Sequence, residues 1–124
     1  MITKQHIQIA IKEAQKASKY TNRSFTYKLG AIALVGGKVV ARSHNSPYKN
    51  NYNYRRYGQH TSHAEATLIS KAPIIEELLV IRIKADLSLT CSMPCKQCYQ
   101  AIKNSKIKKV WYSDWDGKIQ LLKI

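Results

Sequence analysis

The first segment of the chain has apolar residues at helical spacing. Between Lys4 and Ser18, aliphatic side chains recur every three or four positions. They are Ile7, Ala10, Ile11, Ala14 and Ala17. Charged residues, among them Glu13, occupy the opposite side of the predicted helix. The pattern predicts a surface helix that packs one apolar face against the core.

Two short apolar runs follow and are separated by Gly36-Gly37. Leu29–Val35 and Lys38–His44 predict two strands, and the paired glycines favour a tight hairpin turn between them. The polar, tyrosine-rich segment Asn45–His60 has no usable periodicity and is predicted to be a long loop. A helix should then open at Thr61-Ser62 and end before Pro73.

The last part of the chain predicts strands around one helix. Pro94 is favourable in the first turn of a helix over Cys95–Ser105. Asp116-Gly117 is a dipeptide typical of a hairpin turn. The predicted strands are Leu78–Ala85, with Leu87–Cys91 as its continuation or partner, Lys108–Ser113 and Lys118–Leu122. The predicted order of elements is therefore α, β, β, α, β, α, β, β.

The length of 124 residues fits one domain over residues 1–124. No apolar run approaches the roughly 20 residues of a membrane span, and the first residues lack the apolar stretch of a signal peptide. We expect a soluble, cytoplasmic protein that does not contact a membrane.

The charge is strongly positive, with 21 Lys and Arg against 7 Asp and Glu and a formal net charge of +14. No acidic residue occurs between Glu13 and Glu65. This imbalance suits a phosphate-bearing partner, either a nucleotide or a nucleic acid. Solvated lysines without any partner explain it equally well. The tyrosines and arginines of Asn45–His60 fit base and phosphate binding, a polar lid or an oligomer contact.

The three cysteines are clustered at positions 91, 95 and 98, which argues against a disulfide framework and favours a metal site. His63, Cys95 and Cys98 supply three ligands at two predicted helix starts. Three protein ligands with a fourth position open to water are typical of catalytic zinc. The alternative is a structural zinc knuckle or a pair of buried thiols. Cys91 could close such a site, but we expect a core thiol; His60 is more readily a solvated or substrate-facing side chain.

The motifs His63-Ala64-Glu65 and Pro94-Cys95-Lys96-Gln97-Cys98 resemble the H-x-E and P-C-x-x-C signature of zinc-dependent nucleobase deaminases. The chain thus resembles the cytidine and deoxycytidylate deaminase superfamily, and in particular its compact phage- or virus-like members. The resemblance implies a three-layer α/β/α fold with a mixed five-stranded sheet and an antiparallel last hairpin. It also implies Zn²⁺ as cofactor and a homo-oligomer, a dimer or larger.

The resemblance implies roles for further residues. Glu65 would be the catalytic proton shuttle, although it also fits a capping box with Ser62. Substrate-binding roles carry over to Asn45, to the backbone amide of Ala64 and to the backbone around Ser92. For Asn45 the alternative is a helix or turn cap, because Asn before Ser-Pro is also common in turns. From charge alone, Arg55 and Arg56 are candidates for binding the substrate phosphate.

The sequence features favour different substrates. His63 as a ligand resembles the deoxycytidylate, tRNA and polynucleotide branches, whereas the direct Asp-Gly hairpin resembles the free-nucleoside branch. The chain ends at Ile124 without the terminal helices of polynucleotide deaminases. We expect deamination of a cytosine nucleotide, dCMP or a close relative, to the uracil product with release of ammonia. The alternatives are a C-to-U or A-to-I deaminase of single-stranded nucleic acid or tRNA, and a non-catalytic zinc module that binds nucleic acid.

Overall fold

The computed structural model describes residues 2–16, 28–44, 46–47, 61–62, 68–69, 74–84, 86–93, 96–105 and 107–122. The helices are α1 (Lys4–Gln15) and α2 (Lys96–Asn104). The strands are β1 (Lys28–Val35), β2 (Lys38–His44), β3 (Ser46–Pro47), β4 (Thr61–Ser62), β5 (Glu77–Ile83), β6 (Leu89–Thr90), β7 (Lys109–Ser113) and β8 (Ile119–Leu122). Residues 68–69 are also helical.

The main sheet is mixed and has the strand order β2-β1-β5-β7-β8. Strands β5 and β7 are parallel, and the remaining pairs of the sheet are antiparallel. Strand β6 pairs with β5 beside this path, so the sheet has six strands where five were predicted. The segment after β5 is thus a partner of that strand and not its continuation.

The β1–β2 hairpin turns at Gly36 and Gly37, whose φ angles of 60° and 78° lie in the left-handed region. Glycine adopts these angles without the steric cost of a side chain, which explains the paired glycines. The register shifts between Ala33 and Leu34, which pair with Ala41 and Val39. The shift leaves Val40 as a bulge.

The β7–β8 hairpin confirms the predicted Asp-Gly turn. Gly117 has a φ of 80°, and the Asp114 amide donates to the Lys118 carbonyl at 2.8 Å. The Asp114 carboxylate accepts hydrogen bonds from the amides of Asp116 and Lys118 and from the Gln120 side chain, each at 2.9 Å. These bonds, first the one from Gln120, lower the pKa of Asp114.

Helix α1 begins with a reciprocal cap. The His6 amide donates to Thr3 Oγ1 at 3.2 Å, and the Thr3 amide donates to His6 Nδ1 at 3.1 Å. The remaining ring nitrogen, Nε2, lies 2.9 Å from the Gly37 carbonyl and must donate to it. The imidazole therefore ties the start of α1 to the β1–β2 turn.

The core lies on both faces of the sheet. One cluster packs α1 on the sheet through Ala10, Ala14, Ile32, Leu34, Leu79, Ile81 and Ile83. The other packs Leu68 and Ile102 of the helical segments against Ala31, Ala33, Ile75, Leu78, Val80, Ile107 and Val110. Alternate residues of β1 and β5 face the two clusters, as strand geometry requires. The predicted three-layer α/β/α architecture is confirmed.

Two predictions about local structure need correction. Thr61 and Ser62 do not open a helix but form β4, which pairs with Ser46 and Pro47 of the predicted loop. A strand pair of two residues per side has too few positions to show a periodicity. Glu13 does not lie on an exposed face, since only 4% of it is exposed.

Within the ranges that the structure describes, no helix has the length and apolarity needed to cross a membrane.

Candidate active site

The strand register brings three strand ends to one edge of the sheet, which we call the carboxyl edge. Gly30 of β1 pairs with His44 at the end of β2 and with Ile81 near the end of β5. Val80 of β5 pairs with Tyr112, one residue before the end of β7. Strands β2, β5 and β7 run in the same direction and end at this edge. Ligand sites of open α/β sheets lie outside the carboxyl ends of parallel strands.

Helix α2 starts at the carboxyl edge. It connects β5 and β6 to β7, which is parallel to β5, so the helix must run back along the sheet. Its Ile102 is 1% exposed and packs in the same core cluster as Leu68 of the preceding helical segment. Cys98 lies in the first turn of α2. Unpaired backbone amides in a first turn favour a thiolate over a thiol.

The short β3–β4 pair is adjacent in sequence to two of the predicted site residues. Ser46 pairs with Ser62. Asn45 precedes Ser46 directly in the chain, and His63 follows Ser62 directly. The described pair therefore places Ser46 and Ser62 side by side, and each is the direct sequence neighbour of a predicted site residue.

Ser92 is the predicted site residue whose side-chain contacts the structure describes. It is 3% exposed. Its hydroxyl donates to the Val80 carbonyl at 2.7 Å and accepts from the Ser113 amide at 2.8 Å. Its own amide donates to the Ser113 carbonyl at 2.8 Å. The side chain of Ser92 is therefore committed to holding β5 and β7.

The remaining predicted site residues lie outside the described part of the chain. They are Asn45, Arg55, Arg56, His63, Ala64, Glu65 and Cys95. Cys91, expected to be a core thiol, is free and half-buried. Among residues that the structure does describe, no three His, Cys, Asp or Glu side chains are grouped so as to hold a metal ion.

Sequence reasoning missed the pair formed by Glu13 and His44. Glu13 Oε1 lies 3.0 Å from His44 Nδ1, and its Oε2 lies 3.1 Å from Lys16 Nζ. Burial raises the pKa of Glu13, but the hydrogen bonds and charges of His44 and Lys16 outweigh it and lower the pKa. The pair joins α1 to the last residue of β2, directly before Asn45. A signal was available, because Glu13 is the only acidic residue among the first 64.

A mixed sheet covered by helices on both faces, with a helix that starts at its carboxyl edge and carries Cys98 in its first turn, is typical of cytidine deaminase-like α/β proteins. The family model described as the cytidine and deoxycytidylate deaminase zinc-binding region matches residues 2–114. The chain belongs to this deaminase family.

Two curated relatives are tRNA-specific adenosine deaminases. The protein from Bacillus subtilis is 27% identical over 112 residues, which are 90% of this chain and 63% of the relative. The protein from Agrobacterium fabrum is 31% identical over 113 residues, which are 90% of this chain and 65% of the relative. The chain thus spans less than two thirds of the length of these two relatives.

A solved structure shares the fold over most of both chains. The cytidine deaminase from Burkholderia pseudomallei superposes with a TM-score of 0.62 at 20% identity. The match covers 98% of this chain and 92% of that one. It confirms the fold class predicted from the sequence.

Proposed function

We propose that this chain is a single zinc-dependent deaminase domain that converts a cytosine nucleotide, dCMP or a close relative, to the uracil product and ammonia. One observation carries the proposal. Helix α2 starts at the carboxyl edge with Cys98 in its first turn, and β4, which ends at Ser62, directly precedes the H-A-E motif in the sequence. This arrangement supports the proposal that the H-A-E and P-C-x-x-C motifs contribute to one site.

The donor set fits zinc. His63, Cys95 and Cys98 would hold the ion, since one imidazole and two thiolates are ligands that zinc prefers. Three protein ligands leave a fourth position for water. When bound, the ion supplies an acidified water as the nucleophile for C4 of the cytosine ring.

Glu65 moves the protons of the reaction. Its carboxylate takes a proton from the attacking water and gives it to the ring nitrogen N3. It then takes the second proton from the new hydroxyl on C4 and gives it to the amino group, which leaves as ammonia while C4 becomes the carbonyl of the uracil product. A non-catalytic zinc module has no use for this carboxylate. Replacement of Glu65 therefore separates the enzyme from the binding module.

Three positions would orient the base and the sugar. The Asn45 amide group and the Ala64 backbone amide are proposed donors to the substrate. Ser92 contributes through its backbone, because its hydroxyl is already bound between Val80 and Ser113. Each proposed contact would hold the ring in one orientation relative to the nucleophile.

One observation and one expectation from charge support a free nucleotide. The antiparallel β7–β8 hairpin agrees with the resemblance to the free-nucleoside branch. Arg55 and Arg56 can bind one phosphate through bidentate hydrogen bonds. We further propose a cytoplasmic homo-oligomer, a dimer or larger. Light scattering of the purified protein would measure its mass in solution.

A base in tRNA or in single-stranded nucleic acid is the second candidate. It is supported by the 27% and 31% identity to two tRNA-specific adenosine deaminases and by the net charge of +14. The +14 charge would favour a polyanion, because each neutralised phosphate releases counterions.

Ammonia release from a matched panel tests the proposal. The panel holds deoxycytidine, dCMP, adenosine, single-stranded oligonucleotides that contain cytosine or adenine, and tRNA. We expect the highest kcat/KM for dCMP and no release by Glu65→Ala. A higher kcat/KM for tRNA or an oligonucleotide overturns the choice of substrate, and no release from any of them overturns the enzyme itself.

A further inference from the structure

A cluster of buried hydroxyl groups lies where β5, β7 and the segment after β6 meet. Ser113 is fully buried, and Ser92 and Thr90 are 3% and 5% exposed. The Ser113 hydroxyl donates to the Thr90 carbonyl at 2.5 Å, and its oxygen lies 2.9 Å from Ser92 Oγ. The Ser92 hydroxyl donates to the Val80 carbonyl at 2.7 Å. The two serines thus connect three segments of chain.

Each of the two serine hydroxyl protons in the cluster has a hydrogen-bond acceptor. Each serine hydroxyl has one proton to donate and can accept further hydrogen bonds. Ser92 Oγ donates to Val80 and accepts from the Ser113 amide at 2.8 Å. Ser113 Oγ donates to Thr90 and accepts from the Arg82 amide at 3.4 Å. Loss of either hydroxyl would leave buried backbone groups without these partners, which is costly.

The position of the cluster is explained by the sheet. Along one side of β5, the neighbouring strand changes from β7, which pairs with β5 up to Val80, to β6, which pairs with β5 from Arg82. At this junction β7 ends and β6 begins to pair, so the regular hydrogen-bond ladder beside β5 is interrupted. The serine hydroxyls supply hydrogen-bond partners there, and they fix where the chain leaves β6.

The same junction sets the start of the cysteine segment. Ser92 precedes Cys95 by three residues, so their Cα atoms can lie no more than about 11 Å apart. On the other side of Cys95, α2 begins at Lys96 and is held in the core by Ile102, which is 1% exposed. Residues 93–95 therefore link Ser92, which is held by its hydrogen bonds, to α2, which is held by the buried Ile102.

We propose that Ser113 is a positioning residue for the metal site. Its hydroxyl holds the Thr90 carbonyl and its backbone bonds to Ser92, and together these contacts would fix the segment that leads to Cys95 and Cys98. The inference rests on the proposed function, since it takes these two cysteines as zinc ligands. Groups that orient metal ligands change metal affinity by about 10- to 100-fold when they are removed.

The test compares Ser113→Ala with Ser105→Ala. Ser105 lies just after α2, and its hydroxyl donates to the Ile102 carbonyl at 2.5 Å. Both variants lose one hydroxyl that bonds to a backbone carbonyl, but Ser105 lies at the end of α2 that is remote from the cysteines. Zinc affinity is measured by competition with a chromogenic chelator, and Tm is measured in parallel with the zinc removed.

We expect Ser113→Ala to bind zinc about tenfold more weakly. Ser105→Ala should lower Tm without changing zinc affinity. Ser92→Ala removes the other hydroxyl and should weaken zinc binding in the same way. If Ser113→Ala does not fold, Ser92→Ala takes its place in the comparison. Ser113→Thr keeps the hydroxyl and should bind zinc more tightly than Ser113→Ala.

The outcomes separate the two proposals. If the wild-type protein binds zinc and both Ser113→Ala and Ser92→Ala keep wild-type affinity, the positioning role is wrong and the proposed function stands. Equal loss of affinity in Ser105→Ala also contradicts it, because a general loss of stability would then be the cause. A wild-type protein that binds no zinc overturns both proposals.

Discussion

The carboxylate of Glu13 is almost covered by protein, and each of its oxygens has a partner. His44 and Lys16 each contact one of its oxygens, at 3.0 and 3.1 Å. Without such partners, burial would raise the pKa of the carboxyl group and favour its neutral, protonated form. Here the partners lower the pKa of Glu13, so the charged form stabilises the folded state.

Because the pKa of Glu13 is lowered in the folded state, the effect of Glu13→Gln on the free energy of unfolding should depend on pH. The stabilisation is present above the ordinary glutamate pKa of about 4.3 and is lost as the pH falls through the lowered folded-state value. At neutral pH the variant should be less stable by about 2 kcal/mol, the scale of hydrogen bonds to a charged group. At about pH 3 the difference should shrink. Urea unfolding of both proteins at the two pH values measures it, and a constant difference would contradict the account.

In the proposed mechanism, the chemistry depends on Glu65. Glu65→Ala should abolish ammonia release but leave both bound zinc and Tm close to wild type, because the carboxylate shuttles protons and ligates nothing. Metal analysis and calorimetry of the same sample measure the two properties. Loss of zinc would make Glu65 a ligand, and a near-normal rate would remove its catalytic role.

At the scale of elements, the contact between α1 and β1 has no room for a side chain at Gly30. A Cβ there would meet the Ala10 carbonyl oxygen and would lie 2.7 Å from the Ala14 amide nitrogen. Both are backbone atoms of α1 and cannot rotate away. Any side chain must therefore push the helix off the sheet.

We expect Gly30→Ala to lower the free energy of unfolding by at least about 2 kcal/mol, because it overpacks a closed interface. Gly36→Ala is the matched control. Its Cβ would meet nothing within 4 Å, and the cost comes from the φ of +60° alone, about 1 kcal/mol. Denaturant unfolding compares the two. A smaller loss in Gly30→Ala than in Gly36→Ala would contradict the close packing.

The elements that the sequence predicted well are those whose pattern is local. The β1–β2 and β7–β8 hairpins carry their turn residues, Gly36-Gly37 and Asp116-Gly117, within the segment itself. The elements that were missed are short and depend on distant partners. The pair β3–β4 has two residues per strand, and the contact of Glu13 with His44 joins residues that are 31 positions apart in the sequence.

The candidate site shows the same division. The motif residues His63, Glu65, Cys95 and Cys98 are identified by spacing, because metal chemistry restricts which residue types can occur there. Ser113 has no such pattern around it. Its role depends on the junction of β5, β6 and β7, which exists only in the folded sheet.

At the scale of the whole molecule, the charge of +14 bears on how many phosphates the protein contacts. A protein that neutralises several phosphates of a single strand loses affinity with a log-log slope of about 0.7 per contact as salt rises. We expect a shallow slope for 1/KM of dCMP, equivalent to about one contact. A steep slope for an oligonucleotide that is also deaminated would favour the second candidate.

Replacement of Arg55 and Arg56 by Gln should raise the KM for dCMP far more than the KM for deoxycytidine, which has no phosphate. The control replaces Lys4 and Lys38 by Gln. It removes the same charge next to the β1–β2 turn, at the edge of the sheet opposite the carboxyl edge. Initial rates with both substrates give the comparison. If the two double variants change the KM values equally, the arginines affect binding only through the net charge of the protein and do not bind the phosphate directly.

We propose that His63, Cys95 and Cys98 hold one zinc ion. Elemental analysis of the purified protein beside its Cys98→Ala variant tests it most directly. The account predicts about one zinc per chain in the wild-type protein and little or none in the variant, since two remaining ligands hold zinc poorly. A wild-type protein without zinc, or a variant that keeps a full equivalent, would contradict the account.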